Sequence, residues 1–136
     1  RHAQRALGTG TRLLQDELLH EAGLSSQALH VLPQDEPSHA ACAARVASGQ
    51  ADVALGIASA AHAQGLDFVP LVTETYHLVC LKAALDTPAI LALRQVLGSE
   101  AWQRTLLGVM GYRPHASGEV QSLSQTFPWW TFKPRP

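Results

Sequence analysis

The stretch Asp52-Val53-Ala54-Leu55-Gly56-Ile57 decides how this chain is read, because after its acidic first residue it is apolar without alternation. A run of that kind is expected of a strand covered by helices on both faces of a parallel sheet. Its surroundings agree. Upstream, Pro37 and Ser38 form a helix start, and Ala40 to Ser48 reads as a helix of small side chains that ends at Gly49. Leu29 to Leu32 predicts a short strand before it. Still earlier, Thr11 to about Ala22 predicts an amphipathic helix with Leu14, Leu18 and Ala22 on one stripe and Gly23 as its stop. Downstream, Ala58 to Gln64 predicts a short helix, Leu66 to Leu71 an edge segment broken by Pro70, and Tyr76 to Leu81 a further strand. Thr87-Pro88 starts a helix carrying Ile90, Leu91, Leu93, Val96 and Leu97, and Ser99 starts another carrying Trp102, Leu106 and Leu107. Alternating helix and strand signals of this kind argue for the α/β class, with a mainly parallel sheet flanked by helices.

The chain's 136 residues suit one hydrophobic core rather than two. With 46% hydrophobic and 15% charged residues, the composition excludes a disordered chain. Its ten basic and eleven acidic residues give a net charge of −1, spread thinly, so direct nucleic-acid contact is not expected. The apolar stretches are broken well before membrane-spanning length, and no membrane contact is expected. A cytoplasmic location is the expectation, with the periplasm as the alternative. Residues 1–120 are expected to form one lobe and 121–136 a tail, since the last ten residues, Phe127 to Pro136, hold three prolines and four aromatics. Trp129 and Trp130 cannot build a core between prolines, so they are expected to dock on this domain, a missing lobe or a neighbouring subunit.

The sharpest local signal is the turn Gly8-Thr9-Gly10-Thr11, which stands directly before the first predicted helix and is flanked by Arg5 and Arg12. Glycines permit a tight turn, and the first amide N–H groups of the helix have no intrahelical partners. Hydroxyls of Thr9 and Thr11, the helix dipole and an arginine charge would together attract an oxyanion or carboxylate. The plainer alternative is that a threonine merely caps the helix while both arginines stay solvated. A phosphate-binding P-loop is excluded because no Gly-Lys-Ser/Thr ending follows, and the three-glycine dinucleotide fingerprint is absent. Ser38 and His39 stand at the second helix start, where a cap and free N–H groups could face the same cleft.

Chemistry beyond binding finds little support. The histidines at 20, 30, 39, 62, 77 and 115 are scattered, and no pair has metal-ligand spacing with a carboxylate nearby, so no metal is expected. Cys42 and Cys80 lack the spacing of a redox or metal motif and read as buried free thiols. No Gly-x-Ser-x-Gly elbow occurs, no residue is proposed as catalytic, and no cofactor is expected.

The run Arg5 to Leu14, R-A-L-G-T-G-T-R-L-L, resembles the R-x-x-G-S-G-T-R-x-L stretch that opens the second lobe of the type 2 periplasmic-binding-protein-like domain. Ser38-His39-Ala40, the block Val46 to Gly56, and Gly65-Leu66-Asp67-Phe68-Val69-Pro70-Leu71 resemble further blocks of that family, in the same order. The resemblance covers about residues 4–120, including Met110-Gly111-Tyr112. It implies one lobe of the type 2 periplasmic-binding-protein fold, in a family joined elsewhere to helix-turn-helix regulators and molybdopterin-synthesis enzymes and similar to tungstate- and molybdate-binding proteins. Against the tungstate binders' S-R-G-D-x-S-G-T, the matching positions are Arg5, Thr9, Gly10 and Thr11, while Ala6 and Leu7 depart and put the ligand's identity in question.

The resemblance therefore implies a non-catalytic domain that binds or senses a small anion, molybdate- or tungstate-like, through Arg5, Thr9, Gly10, Thr11, Ser38 and His39. A second reading is the effector-binding domain of a LysR-type transcription regulator, taking a small organic acid, since the blocks Val46 to Leu55 and Gly65 to Val79 also resemble that class. A third is an accessory module of a molybdopterin-synthesis enzyme. The chain starts where a second lobe starts, so either a missing partner lobe or a homodimer is expected to complete the cleft.

Overall fold

In the computed structural model, which describes residues 1–131, a strand that the sequence reading does not foresee organises the first part of the chain. β1 is His2–Ala3, and it pairs in parallel with β2, Val53–Ala54. On its other side His2 forms a parallel bridge with Val31, supported by His2 N–H donating to the His30 carbonyl at 2.8 Å and Leu32 N–H to the His2 carbonyl at 2.9 Å. A second bridge joins Arg5 to Glu36. The lateral order is therefore the Val31 segment, β1, β2, so β1 is central. The expected strand Asp52–Ile57 is instead shortened to β2 at one side, and Val53 stays 57% exposed rather than covered on both faces. Completely polar-flanked, with only Ala3 as an apolar residue, the run His2-Ala3-Gln4-Arg5 carries no hydrophobic signal that would mark it as a strand.

Each parallel segment leads into a helix. α1, Gly10–Glu21, follows β1; α2, His39–Ala47, follows the Val31 segment; α3, Ala58–Ala63, follows β2. These helices begin where local chemistry dictates. Thr9 and Ser38 adopt extended backbone at the two N-caps, and their hydroxyl oxygens accept from Arg12 N–H at 3.3 Å and Ala41 N–H at 3.0 Å. α2 packs on β1, β2 and α3 and presents Cys42 and Ala43 inward, beside buried Ala3 and Ala51. Small side chains here let the helix approach the sheet closely. α1 is tied to β1 by a 2.9 Å hydrogen bond between the buried side chains of His2 and Gln15. At the strand end, Arg1 donates to Asp52 at 2.8 Å, which holds that exposed carboxyl below the usual carboxylate range.

The parallel arrangement is thus confirmed for two strands and a flanking bridge, but a mainly parallel sheet extending to residue 81 is not formed. Leu66 to Leu71 and Tyr76 to Leu81 make no strand, and Val69, Leu71, Leu78, Val79 and Leu81 are exposed. Apolar character alone cannot make a strand without a neighbour to supply hydrogen bonds.

The chain divides into two compact units, Arg1–Glu74 and Thr75–Pro136. The second unit is built on α4, Pro88–Gly98, and α5, Glu100–Leu107, packed on each other. Ser99 joins them and caps α5 by accepting from Trp102 N–H at 3.2 Å. Gly118, at φ +83°, lies so close to α4 that a Cβ there would come within 2.8 Å of the Arg94 carbonyl oxygen. The tail contains α6, Leu123–Thr126, closed by a capping box between Ser122 and Gln125. From it an edge-to-face aromatic series runs His77, Phe127, Trp129, Trp130, with centroid separations of 6.3, 5.9 and 6.0 Å. Docking is thus made through Phe127, while both tryptophans stay exposed. The remaining tail positions 132–136 lie outside the described residues.

Candidate functional site

A parallel sheet of order Val31 segment, β1, β2 reverses direction at β1: the first connection goes to one side and the next crosses to the other. In open α/β sheets such a switch point, at the carboxyl ends of the strands, leaves a crevice that ligands use. The residues found at this edge are those of the loop after β1, the start of α2, and Gly56 after β2.

Arg5 is the pivotal side chain. It lies in the loop after β1, half-buried, and among the described residues it makes no side-chain hydrogen bond and no ion pair. Its Nε is shielded from solvent and unpartnered. One candidate counterion is already taken: Glu36, buried and bridged to Arg5 through the backbone, accepts from Arg45 Nε at 2.6 Å. A polar N–H withdrawn from water without a partner is costly, and an anion from outside would remove that cost at Nε while meeting the guanidinium charge.

His39, the first residue of α2, stands beside it. Its Nδ1 is likewise shielded and without a partner, and a Cβ placed on Gly56 would sit 3.6 Å from that nitrogen. Burial, then the Arg5 charge, push the imidazole below its ordinary pKa, and Glu74 acts in the opposite direction. Cys42, one turn along α2, is the largest fully buried side chain among the described residues, at 1% exposure. Burial pushes its thiol up, so it stays protonated and unreactive, and the Arg5 charge reaches it too. Cys80, by contrast, is exposed rather than buried as expected.

The glycine-threonine turn is arranged differently from a simple row of donors. Gly8 takes φ +82°, which turns the chain into Thr9. The Thr9 hydroxyl is spent locally, donating to the Ala6 carbonyl at 2.8 Å while accepting from Arg12 N–H, and Arg12 itself is held by Asp16 at 3.2 Å. Thr9 therefore shapes the turn. The first backbone bond of α1 runs from Leu13 N–H to the Thr9 carbonyl, which leaves the amides of Gly10 and Thr11 without intrahelical partners. In α2 the first is Cys42 N–H to the Ser38 carbonyl, which leaves those of His39 and Ala40. The donors present at this edge are thus the Arg5 guanidinium, the His39 ring and the two helix starts. Among the described residues no cluster of His, Cys, Asp or Glu could hold a metal ion.

Sequence reasoning singled out Arg5 and His39 separately, on different helix starts; the Arg5–Glu36 bridge is what brings them together. Glu36, Cys42 and Gly56 were not anticipated as neighbours of the site. The alternating Pro37-Ser38 cap signal pointed to the right helix start, but nothing local announces that Glu36 is engaged by Arg45.

Residues 1–98 match the family model of the PBP superfamily domain. The chain belongs to the PBP superfamily. Among curated relatives it is 34% identical over 116 residues to the Uncharacterized protein YvgK of Bacillus subtilis (strain 168), covering 85% of this chain and 37% of that protein. It is 29% identical over 109 residues to a Clostridium pasteurianum protein described as an uncharacterized protein in ferredoxin 2Fe-2S gene 5' region, covering 79% of this chain and 96% of the relative. The chain thus spans little more than a third of the Bacillus relative's length. No solved structure matches it. Among the described residues no helix is long and apolar enough to cross a membrane. A ligand-binding role is what the PBP-like domain brings with it; which ligand is a question for the site's own chemistry.

Proposed function

We propose that this PBP-like domain is a non-catalytic binding or sensing unit for a small oxyanion of the molybdate or tungstate kind, taken up at the switch point. The observation that carries the reading is the half-buried Arg5 guanidinium with no acceptor of its own. Around it, the free amides of Gly10 and Thr11 and of His39 and Ala40 belong to two helix starts that follow adjacent parallel segments, and helix N-termini favour negative charge. The Thr11 hydroxyl adds a donor; Thr9, Gly10 and Ser38 hold the turns that present these groups. Oxyanion contacts to the helix start would favour one arrangement of this unit relative to a partner lobe or a second copy, which is how binding becomes a signal.

The test is calorimetric titration with molybdate, tungstate, sulfate and phosphate, and with small carboxylates as the arm that serves the organic-acid alternative. Arg5→Ala should weaken the preferred anion by about 2 kcal/mol or more, roughly thirty-fold. Thr11→Ala removes one hydrogen bond and should cost about 1 kcal/mol, roughly five-fold. Folding stability of Arg5→Ala should be unchanged or higher, because an uncompensated cation is removed. Affinity indifferent to Arg5→Ala overturns the site, and carboxylates binding more tightly than every oxyanion replaces it with the organic-acid reading.

A further inference from the structure

The unmet groups at the switch point differ in one respect that the oxyanion reading does not use: Arg5 is permanently charged, whereas the ring beside it can gain or lose a proton. Arg5 in the loop after β1 lies near enough for its charge to act on the His39 ring at the α2 start, and each has a shielded, unpartnered nitrogen. We propose that His39 couples anion capture to proton uptake, so that the ring is neutral when the site is empty and becomes imidazolium when an oxyanion settles against Arg5. One proton is taken from solvent onto the imidazole, and no bond is broken. This rests on the oxyanion reading above and adds to it a second, conditional positive charge.

The charges around the ring support the coupling. Arg5 opposes a proton on His39, and burial opposes it more strongly; Glu74, at the end of this unit, is the one acidic group that favours it. Other titratable groups on the elements packed against α2 are engaged or turned to solvent. Glu36 is held by Arg45, Asp52 by Arg1, His2 of β1 is bonded to Gln15, and His62 of α3 is exposed, while the buried Cys42 thiol stays neutral. An anion that neutralises Arg5 removes the main charge opposing protonation and adds an acceptor for both orphaned nitrogens. The sign follows from linkage. The empty-site pKa lies below the ordinary imidazole value and the occupied-site value above the empty one. Affinity is therefore greatest below the empty-site pKa and declines as the pH rises through the occupied-site pKa.

The experiment titrates the native chain with sulfate, whose charge is constant over the range, from pH 5 to pH 8, in buffers of different ionisation enthalpy. The expected result is net proton uptake of up to one per sulfate, and affinity falling by roughly ten-fold across that range, with a slope no steeper than ten-fold per pH unit. His39→Gln should flatten the profile to about the native affinity at pH 8 and abolish proton uptake. Sulfate binding with no proton exchange in any buffer overturns the coupling while leaving the oxyanion site intact. A native profile retained in His39→Gln also overturns it. Failure of sulfate, molybdate, tungstate and phosphate alike to bind overturns both.

Discussion

Two apolar stretches of this chain met opposite fates. Val31 and Val53 flank β1 and are drawn into parallel pairing, although β1 itself is two residues long and its flanks are polar. Val69, Leu71, Leu78, Val79 and Leu81 are at least as apolar and β-prone, yet they find no strand neighbour and remain exposed. The difference is not in local propensity. It lies in whether another backbone comes alongside, because a strand satisfies its N–H and C=O groups only through a partner, whereas a helix satisfies them within itself.

The two cysteines report on that contrast directly, and here the largest effect is expected. Cys42 lies on the inner face of α2 at 1% exposure with a thiol pushed up by burial, whereas Cys80 lies exposed in the stretch that forms no strand. Under native conditions a thiol reagent should modify Cys80 promptly and Cys42 only through local opening. An opening cost of about 3 kcal/mol already gives ~100-fold protection. The measurement is the rate of thiol modification followed by mass spectrometry on Cys42→Ser and Cys80→Ser variants. Equal rates would mean that the inner face of α2 is no better protected than the stretch around Cys80.

The same contrast explains what could be read in the sequence. All the long helices were legible, α1, α2, α4 and α5 starting within a residue of the Thr, Ser, Thr-Pro and Ser signals that announce them. Those signals act over three or four residues. The sheet was only half legible: the Val31 segment and β2 fell where expected, β1 was missed because His2-Ala3 has no hydrophobic pattern, and two expected strands did not form. Arg5 and His39 were recognised as candidates from their places at helix starts, and one cleft was expected for both. What was not legible is the long-range pairing behind it, the bridge between residues 5 and 36 and the engagement of Glu36 by Arg45.

Glu36 offers a mid-sized test of the well-formed side of the comparison. Its carboxylate is nearly buried and accepts from Arg45 at 2.6 Å, so Glu36→Gln keeps a hydrogen-bond acceptor while deleting the charge that compensates the cation. Because Arg45 is about a third exposed and partly screened, the expected cost is about 1–2 kcal/mol rather than the full penalty of a broken buried pair. It should be seen as a lower urea midpoint with an unchanged slope. A midpoint that does not move would show that the Glu36–Arg45 pair is not what frees Arg5 from a counterion.

The smallest effect belongs to the stretch that forms no strand. Val79 is 79% exposed, and in an isolated chain replacing it with Thr removes an apolar methyl from water rather than from a core. Val79→Thr should shift unfolding stability by no more than about 0.5 kcal/mol. Val→Thr at a genuinely buried strand position would cost more, because the hydroxyl would need a partner there. The informative variable is therefore concentration: if the loss grows as the protein is concentrated, the stretch is being covered by a second copy, and stability tracks association rather than the fold of one chain. If it stays small from dilute to concentrated solution, Val79 contributes little to the stability of the chain by itself, and no second copy covers it.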